Sequence, residues 1–110
     1  MHDQIVRRAP AVVMLPGEID VSNAQRVFDQ LSSAFAAGAT VVIADLTKTH
    51  FCDSTGLGTL LRVQRQAATH GAELRLAISP GSPVQRVFDL MGLDRLLPVY
   101  TSRAQAAACP

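Results

Sequence analysis

The sequence predicts an α/β fold: a single domain over residues 1–110, with a mixed β-sheet of four to five strands and about four helices. Two observations carry that reading. Apolar runs of strand length alternate with segments whose apolar residues recur every three or four positions, the alternation of β/α units. The run Val41-Val42-Ile43-Ala44-Asp45-Leu46 is apolar almost without interruption, as suits a strand covered on both faces, so it belongs in the middle of the sheet. A chain of 110 residues buries roughly two-thirds of its unfolded surface and needs no staple.

In chain order, residues 5–8 read as a short edge strand, Ala9-Pro10 as a turn and residues 11–15 as a second strand, together a hairpin. Pro16-Gly17 ends it, because proline cannot donate to a ladder. Ala24, Val27, Phe28, Leu31 and Phe35 then keep helical spacing, which predicts a helix from about 23 to 37 with Ser22 as its N-cap and Gly38 closing it in the left-handed conformation. After the central strand, Leu57, Leu60, Leu61 and residues 64–68 mark a second helix that stops at His70-Gly71. Leu74, Leu76 and Ile78 alternate in a strand over 73–78. Ser82 followed by Pro83 opens a third helix, striped by Val84, Val87, Phe88 and Met91 and ended by Gly92. Pro98 restricts residues 96–100 to a short edge strand, and Thr101 or Ser102 caps a last alanine-rich helix through Ala108.

Composition removes several function classes. Net charge is +1, and the basic residues, nine arginines and one lysine, are scattered singly apart from Arg7-Arg8, so the footprint of a nucleic-acid binder is missing. No uncharged apolar run approaches the ~18 residues of a membrane span. Met1-His2-Asp3-Gln4 lacks the basic segment and apolar core of a secretory signal, so the chain is expected in the cytoplasm. Cys52 and Cys109 have no metal-type spacing and read as reduced thiols. A Ser-His-Asp enzyme assembled from His50, Asp53 and Ser54 has no nucleophile-elbow motif behind it, and aspartates spread over separate loops serve caps and turns more often than metals. No catalytic residue, metal or cofactor is assigned.

The most informative stretch is the turn Asp53-Ser54-Thr55-Gly56 between the central strand and the second helix. It places hydroxyls where the first N–H groups of a helix have no acceptor of their own. Ser54 is the first candidate for the N-cap and Thr55 the second. Gly56 and Gly58 remove side chains beside this helix end and open it to close approach. In a parallel sheet, loops at the carboxyl ends of the strands gather on one rim, where Asp20, Asp45, Asp53 and Ser54 are expected.

Gly17-Glu18-Ile19-Asp20 before the first helix, together with Asp53-Ser54-Thr55-Gly56-Leu57-Gly58 after the central strand, resembles the anti-sigma-factor antagonists of bacteria, the stand-alone members of the STAS domain family. The resemblance spans nearly the whole chain and includes Ile78-Ser79-Pro80 and Val87-Phe88-Asp89-Leu90-Met91-Gly92-Leu93. Cys52 stands where that family commonly has methionine or isoleucine, and Pro80-Gly81-Ser82-Pro83 is longer than usual.

The resemblance implies a partner-switching regulator with a STAS-type sheet and no enzymatic activity. Ser54 matches the serine phosphorylated by an anti-sigma factor that is also a serine kinase. The unphosphorylated antagonist captures that partner and frees a sigma factor, and a PP2C-type phosphatase restores the capturing form. Asp20 matches the acidic neighbour of the serine, and Asp20, Asp53, Thr55, Gly56, Leu57 and Gly58 form the implied switch rim. The alternative within the same family is a constitutive binding or ligand-sensing subunit in which Ser54 is never modified.

Overall fold

The computed structural model describes residues 9–109. Four strands, β1 (Ala11–Met14), β3 (Val41–Asp45), β5 (Glu73–Ala77) and β6 (Val99–Tyr100), form one sheet in the order β1-β3-β5-β6. A second, two-stranded ribbon joins β2 (Glu18–Ile19) to β4 (Phe51–Cys52). Among the described residues there are four helices, α1 (Ala24–Ala36), α2 (Ser54–Thr69), α3 (Pro83–Met91) and α4 (Arg103–Ala108), with a 3-10 turn at Leu93–Arg95. Every pairing among the described residues is parallel. The hairpin partner expected at residues 5–8 lies outside the described residues.

The register Met14, Asp45, Ala77, Tyr100 runs straight across the main sheet, so all four strands end on one side. Strand alternation divides the residues between two faces. Val42, Ala44, Leu74 and Leu76 face the main core with Val27 and Leu31 of α1, Leu57, Leu60 and Val63 of α2, and Phe88 of α3. Burying each large side chain in this layer contributes about 1.5–3 kcal/mol against conformational entropy. The opposite face carries Ile43 and Ala77 under Ala106 of α4, with Tyr100 at its border. Val41 to Leu46 is therefore covered on both sides, as its unbroken apolar character predicted.

Arg75 falls between Leu74 and Leu76, on the face away from the main core, and is only 5% exposed. Its Nη1 donates to the carbonyls of Ala106 (2.7 Å) and Cys109 (2.8 Å), and its Nε to Glu73 Oε1 (2.7 Å). A buried cation thus holds the carbonyl end of α4, where the helix dipole favours positive charge. The strand beneath locks the helix that covers it.

Local signals decide the helix ends. Ser82 Oγ accepts from Gln85 N–H (3.2 Å), Pro83 opens α3 and Gly92 closes it at φ 66°. Ser102 Oγ likewise accepts from Gln105 N–H (3.0 Å) ahead of α4. The first helix departs from expectation: Ser22 is not its cap. The Ser22 hydroxyl and N–H both go to Asp20 Oδ1, and the Asp20 carbonyl accepts from Asn23 N–H (3.2 Å) and Ala24 N–H (2.9 Å). Asn23 occupies the cap position without a side-chain cap bond, because its Oδ1 accepts from Asp20 N–H (3.0 Å) and its Nδ2 donates to the Glu18 carbonyl (2.8 Å).

Candidate functional site

The site is built by the short ribbon, which brings two distant segments side by side. Glu18 pairs with Phe51 and Ile19 with Cys52, and the next residue, Asp53, donates its N–H to the Ile19 carbonyl (3.1 Å). The Gly17 carbonyl accepts from His50 N–H (2.9 Å), and Thr49 Oγ1 donates to the Pro16 carbonyl (2.8 Å). The chain therefore leaves Ile19 and Cys52 in register, and Asp20 and Asp53 emerge as neighbours. Asp20 leads into α1 and Asp53 into α2, so both helices start at this rim.

Asp53, not Ser54 or Thr55, is the N-cap of α2. Its Oδ1 accepts from Gly56 N–H (2.9 Å), while its backbone carbonyl takes Leu57 N–H (2.9 Å) in the first helical bond. The reason is positional. A cap residue needs an extended backbone, and Asp53 has it (φ −85°, ψ −176°), whereas Ser54 is already the first helical residue. Ser54 and Thr55 are both exposed. With Asp53 closing the helix end, the Ser54 hydroxyl is left free of that structural duty and sits among N–H groups that have no acceptor within the helix.

The two glycines of the motif do different things. A Cβ on Gly56 would stand 2.7 Å from Cys52 Sγ and 2.8 Å from Ile19 Cγ2, so only glycine lets α2 begin against the ribbon. A Cβ on Gly58 would meet nothing within 4 Å, and that residue is exposed. Leu57, also placed on the rim by the sequence, points into the core at 4% exposure. Its contribution is to anchor the helix, while Ser54, Thr55 and Gly58 present the surface.

Electrostatics sharpen the rim. The Ser22 hydroxyl and N–H hold the Asp20 carboxyl below the usual carboxylate range, so it is ionised near neutral pH. Asp45 was expected on the same rim and does not belong there: it is 1% exposed and faces α4. Burial raises its carboxyl, but hydrogen bonds from Thr47 and the Arg103 guanidinium (Nη2 at 2.7 Å, Nε at 2.9 Å) outweigh that and hold it lowered. Its charge is neutralised within the fold. Cys52 lies beneath Gly56, and burial, aided by the Asp53 charge, pushes its thiol up to about 12. That thiol stays protonated and inert as a nucleophile.

His50 lies on the outer side of the ribbon, its Nε2 3.4 Å from Glu18 Oε2. The Asp53 carboxylate is committed to the helix cap. Among the described residues, no group of three or more His, Cys, Asp or Glu is arranged to hold a metal. No helix among them is long and apolar enough to cross a membrane.

Two exposed apolar side chains went unremarked in the sequence. Val21 is 77% exposed next to Asp20, and Phe51 is 48% exposed on β4. Val21 keeps the spacing of the α1 stripe but precedes the first helical residue, Ala24, so it does not turn inward with Phe28 and Phe35. On α1, Gln25, Arg26 and Asp29 are exposed, with Gln25 Nε2 donating to Asp29 Oδ1 (2.9 Å). The starts of α1 and α2 thus bring the Ser54 and Thr55 hydroxyls, the Asp20 and Asp53 carboxylates and exposed Val21 to one end of the molecule, with Phe51 exposed on the adjoining ribbon.

Comparisons with known proteins agree with this geometry. A family model described as the STAS domain matches residues 3–106. The anti-sigma F factor antagonist of Paenibacillus polymyxa is 29% identical over 101 residues, covering 90% of this chain and 85% of its own. BtrV of Bordetella bronchiseptica, assigned as an anti-sigma factor antagonist, is 31% identical over 98 residues, with coverage of 88% and 83%. Among solved structures, the anti-sigma factor antagonist SpoIIAA in its unphosphorylated form superposes with a TM-score of 0.69 at 26% identity, covering 92% of this chain and 88% of that one. The Bacillus cell fate determinant SpoIIAA in its phosphorylated form superposes with a TM-score of 0.61 at 27% identity, covering 92% and 91%. The chain belongs to the STAS domain family.

Proposed function

We propose that this chain is an anti-sigma-factor antagonist whose unphosphorylated form captures an anti-sigma factor with serine kinase activity and so frees a sigma factor. Phosphorylation of Ser54 ends the capture, and a PP2C-type phosphatase resets it. The observation that carries this reading is the exposed Ser54 hydroxyl at the first position of α2, relieved of capping by Asp53 and bordered by ionised Asp20. Relatives named as anti-sigma factor antagonists, and the solved phosphorylated form of one structural neighbour, support it.

The physics of the switch follows from the position. A phosphate on Ser54 adds about −1.5 to −2 charge. Its own helix tolerates the anion, because the free N–H groups and the dipole favour negative charge there. A partner packed on the rim meets a phosphate added to two carboxylates, and must either bury that charge or leave. The fold survives and the complex does not. Mass spectrometry after incubation with the cognate kinase, ATP and magnesium tests the assignment. One phosphate on Ser54 is expected; phosphate confined to Thr55, Ser22 or Ser82 overturns it.

A further inference from the structure

A cleft of about 470 Å³ lies between the C-terminal halves of α1 and α2, at the far end of both helices from Asp20 and Ser54. Phe35 and Ala36 of α1 and Val63 and Ala67 of α2 form its walls, over Ala39 and Ala72. The volume falls within the ~300–1,000 Å³ of pockets that hold small molecules. Hydrogen bonds fix the backbone around it: Ala39 N–H to the Ala34 carbonyl (3.3 Å), Ala72 N–H to Ala67 (2.9 Å) and Glu73 N–H to Thr40 (2.9 Å). The cleft is preformed, and its shape does not wait on a ligand.

Its polar groups are few: Ser32, Thr40, Gln66 and His70 line it, and no Asp, Glu, Lys or Arg does. Two of them have capacity to spare. Ser32 Oγ is the buried side-chain polar atom that has no hydrogen-bond partner among the described residues, and such an atom calls for an explanation. His70 Nδ1 lies 3.0 Å from the Gln66 carbonyl, which can only accept, so in the neutral ring Nδ1 carries the hydrogen and Nε2 keeps its lone pair.

We infer that this cleft is a binding site for a neutral, largely apolar small molecule bearing one hydroxyl group, of which a phenol is the simplest kind. The apolar walls take the body of the ligand. Its O–H donates to an acceptor such as His70 Nε2, and its oxygen accepts from the Gln66 side-chain amide, or from Ser32 once that side chain turns from its buried rotamer into the cleft. An anionic ligand is disfavoured while the His70 ring is neutral, because no other side chain in the lining carries a formal charge to compensate the loss of water. Val63, Gln66 and Ala67 of α2 lie about 14–20 Å from Ser54 along the helix, at about 1.5 Å per residue. The site therefore stands or falls separately from the proposed partner switch.

The probe is 1-naphthol, titrated into the isotopically labelled full chain and followed by amide nuclear magnetic resonance. Saturable shifts should concentrate at Ala36, Gly38, Ala39, Thr40, Ala67 and His70. Ala36→Leu, which fills the cleft from an exposed helical position, should weaken binding at least tenfold. His70→Phe should weaken it severalfold, and 1-naphthoate should bind the parent at least fivefold more weakly than 1-naphthol. Unchanged amide spectra elsewhere verify the fold of both variants. Shifts spread over the surface or centred on Ser54, or an affinity indifferent to both substitutions, would overturn the site. Equal binding of 1-naphthoate and 1-naphthol would overturn the ligand class.

Discussion

Asp53 Oδ1 accepts the N–H of Gly56 at 2.9 Å and so closes the start of α2 in place of the serine beside it. The motif divides its labour between adjacent residues: the aspartate holds the helix and the serine is left for exchange with the outside. A modification at Ser54 can then change the surface without undoing the cap beneath it.

That division sets the stability of two alanine variants apart. Asp53→Ala removes a cap bond and should cost about 1 kcal/mol, within the usual ~0.5–2 for such losses. Ser54→Ala touches an exposed first-turn position and should stay within about 0.5 kcal/mol of the parent. Urea denaturation of the three proteins measures both, and a larger loss for the serine variant would return the cap to Ser54.

The glycines separate in the same way. Gly56→Ala drives a methyl into Cys52 Sγ and Ile19 and should destabilise by about 1–3 kcal/mol. Gly58→Ala enters open space on an exposed helical face and should stabilise the fold by up to ~1 kcal/mol. If the partner docks on this face, Gly58→Ala should also weaken capture even as it raises the melting temperature, an opposition that a purely structural glycine would not show.

Asp45 and Arg103 join the end of β3 to the start of α4, with the carboxylate buried and the guanidinium half exposed. The folded carboxyl titrates below its unfolded value of ~3.9, so its contribution is fully present above that pH and is lost as the pH falls through the folded value. Arg103→Ala should cost about 2 kcal/mol at neutral pH, the scale of a hydrogen bond to a charged group. The gap between parent and variant should close in acid, below both titrations. Melting curves from neutral pH to pH 2 check this, and a gap that widened in acid would contradict it.

The cysteines should differ sharply in reactivity. Cys109 is exposed, whereas the Cys52 thiol is buried and pushed up to about 12. A thiol reagent at pH 8 should label one cysteine in the native protein and two after unfolding. Rapid native labelling of Cys52 would mean that the α2–ribbon contact at Gly56 opens readily.

Much of this architecture was legible because its signals are local. The apolar stripes of α1 and α2 report which face meets the sheet, and Ser82, Pro83 and Gly92 delimit α3 by the needs of their own backbones. What escaped depends on partners far away in the chain. The β2–β4 ribbon has two residues per strand, too few for a period, yet it sets Asp20 beside Asp53. Arg75 reads as the polar member of an alternating strand until α4, 31 residues on, covers it. Asp45 looks like a rim carboxylate until Arg103, 58 residues on, buries its charge. The cap of α2 was misplaced by one residue because aspartate and serine both cap well, and only the backbone angles decide between them.

The central claim is that Ser54 lies in the surface that captures the anti-sigma factor, and calorimetric titration of that partner into the parent, Ser54→Ala and Ser54→Asp tests it most directly. Aspartate suits a helix N-terminus, so all three proteins should melt within a few degrees of one another. Ser54→Ala should bind within about threefold of the parent, while Ser54→Asp should bind on the order of a hundredfold more weakly, a difference of about 3 kcal/mol. Equal affinities for the parent and the aspartate variant would place Ser54 outside the interface and contradict the account.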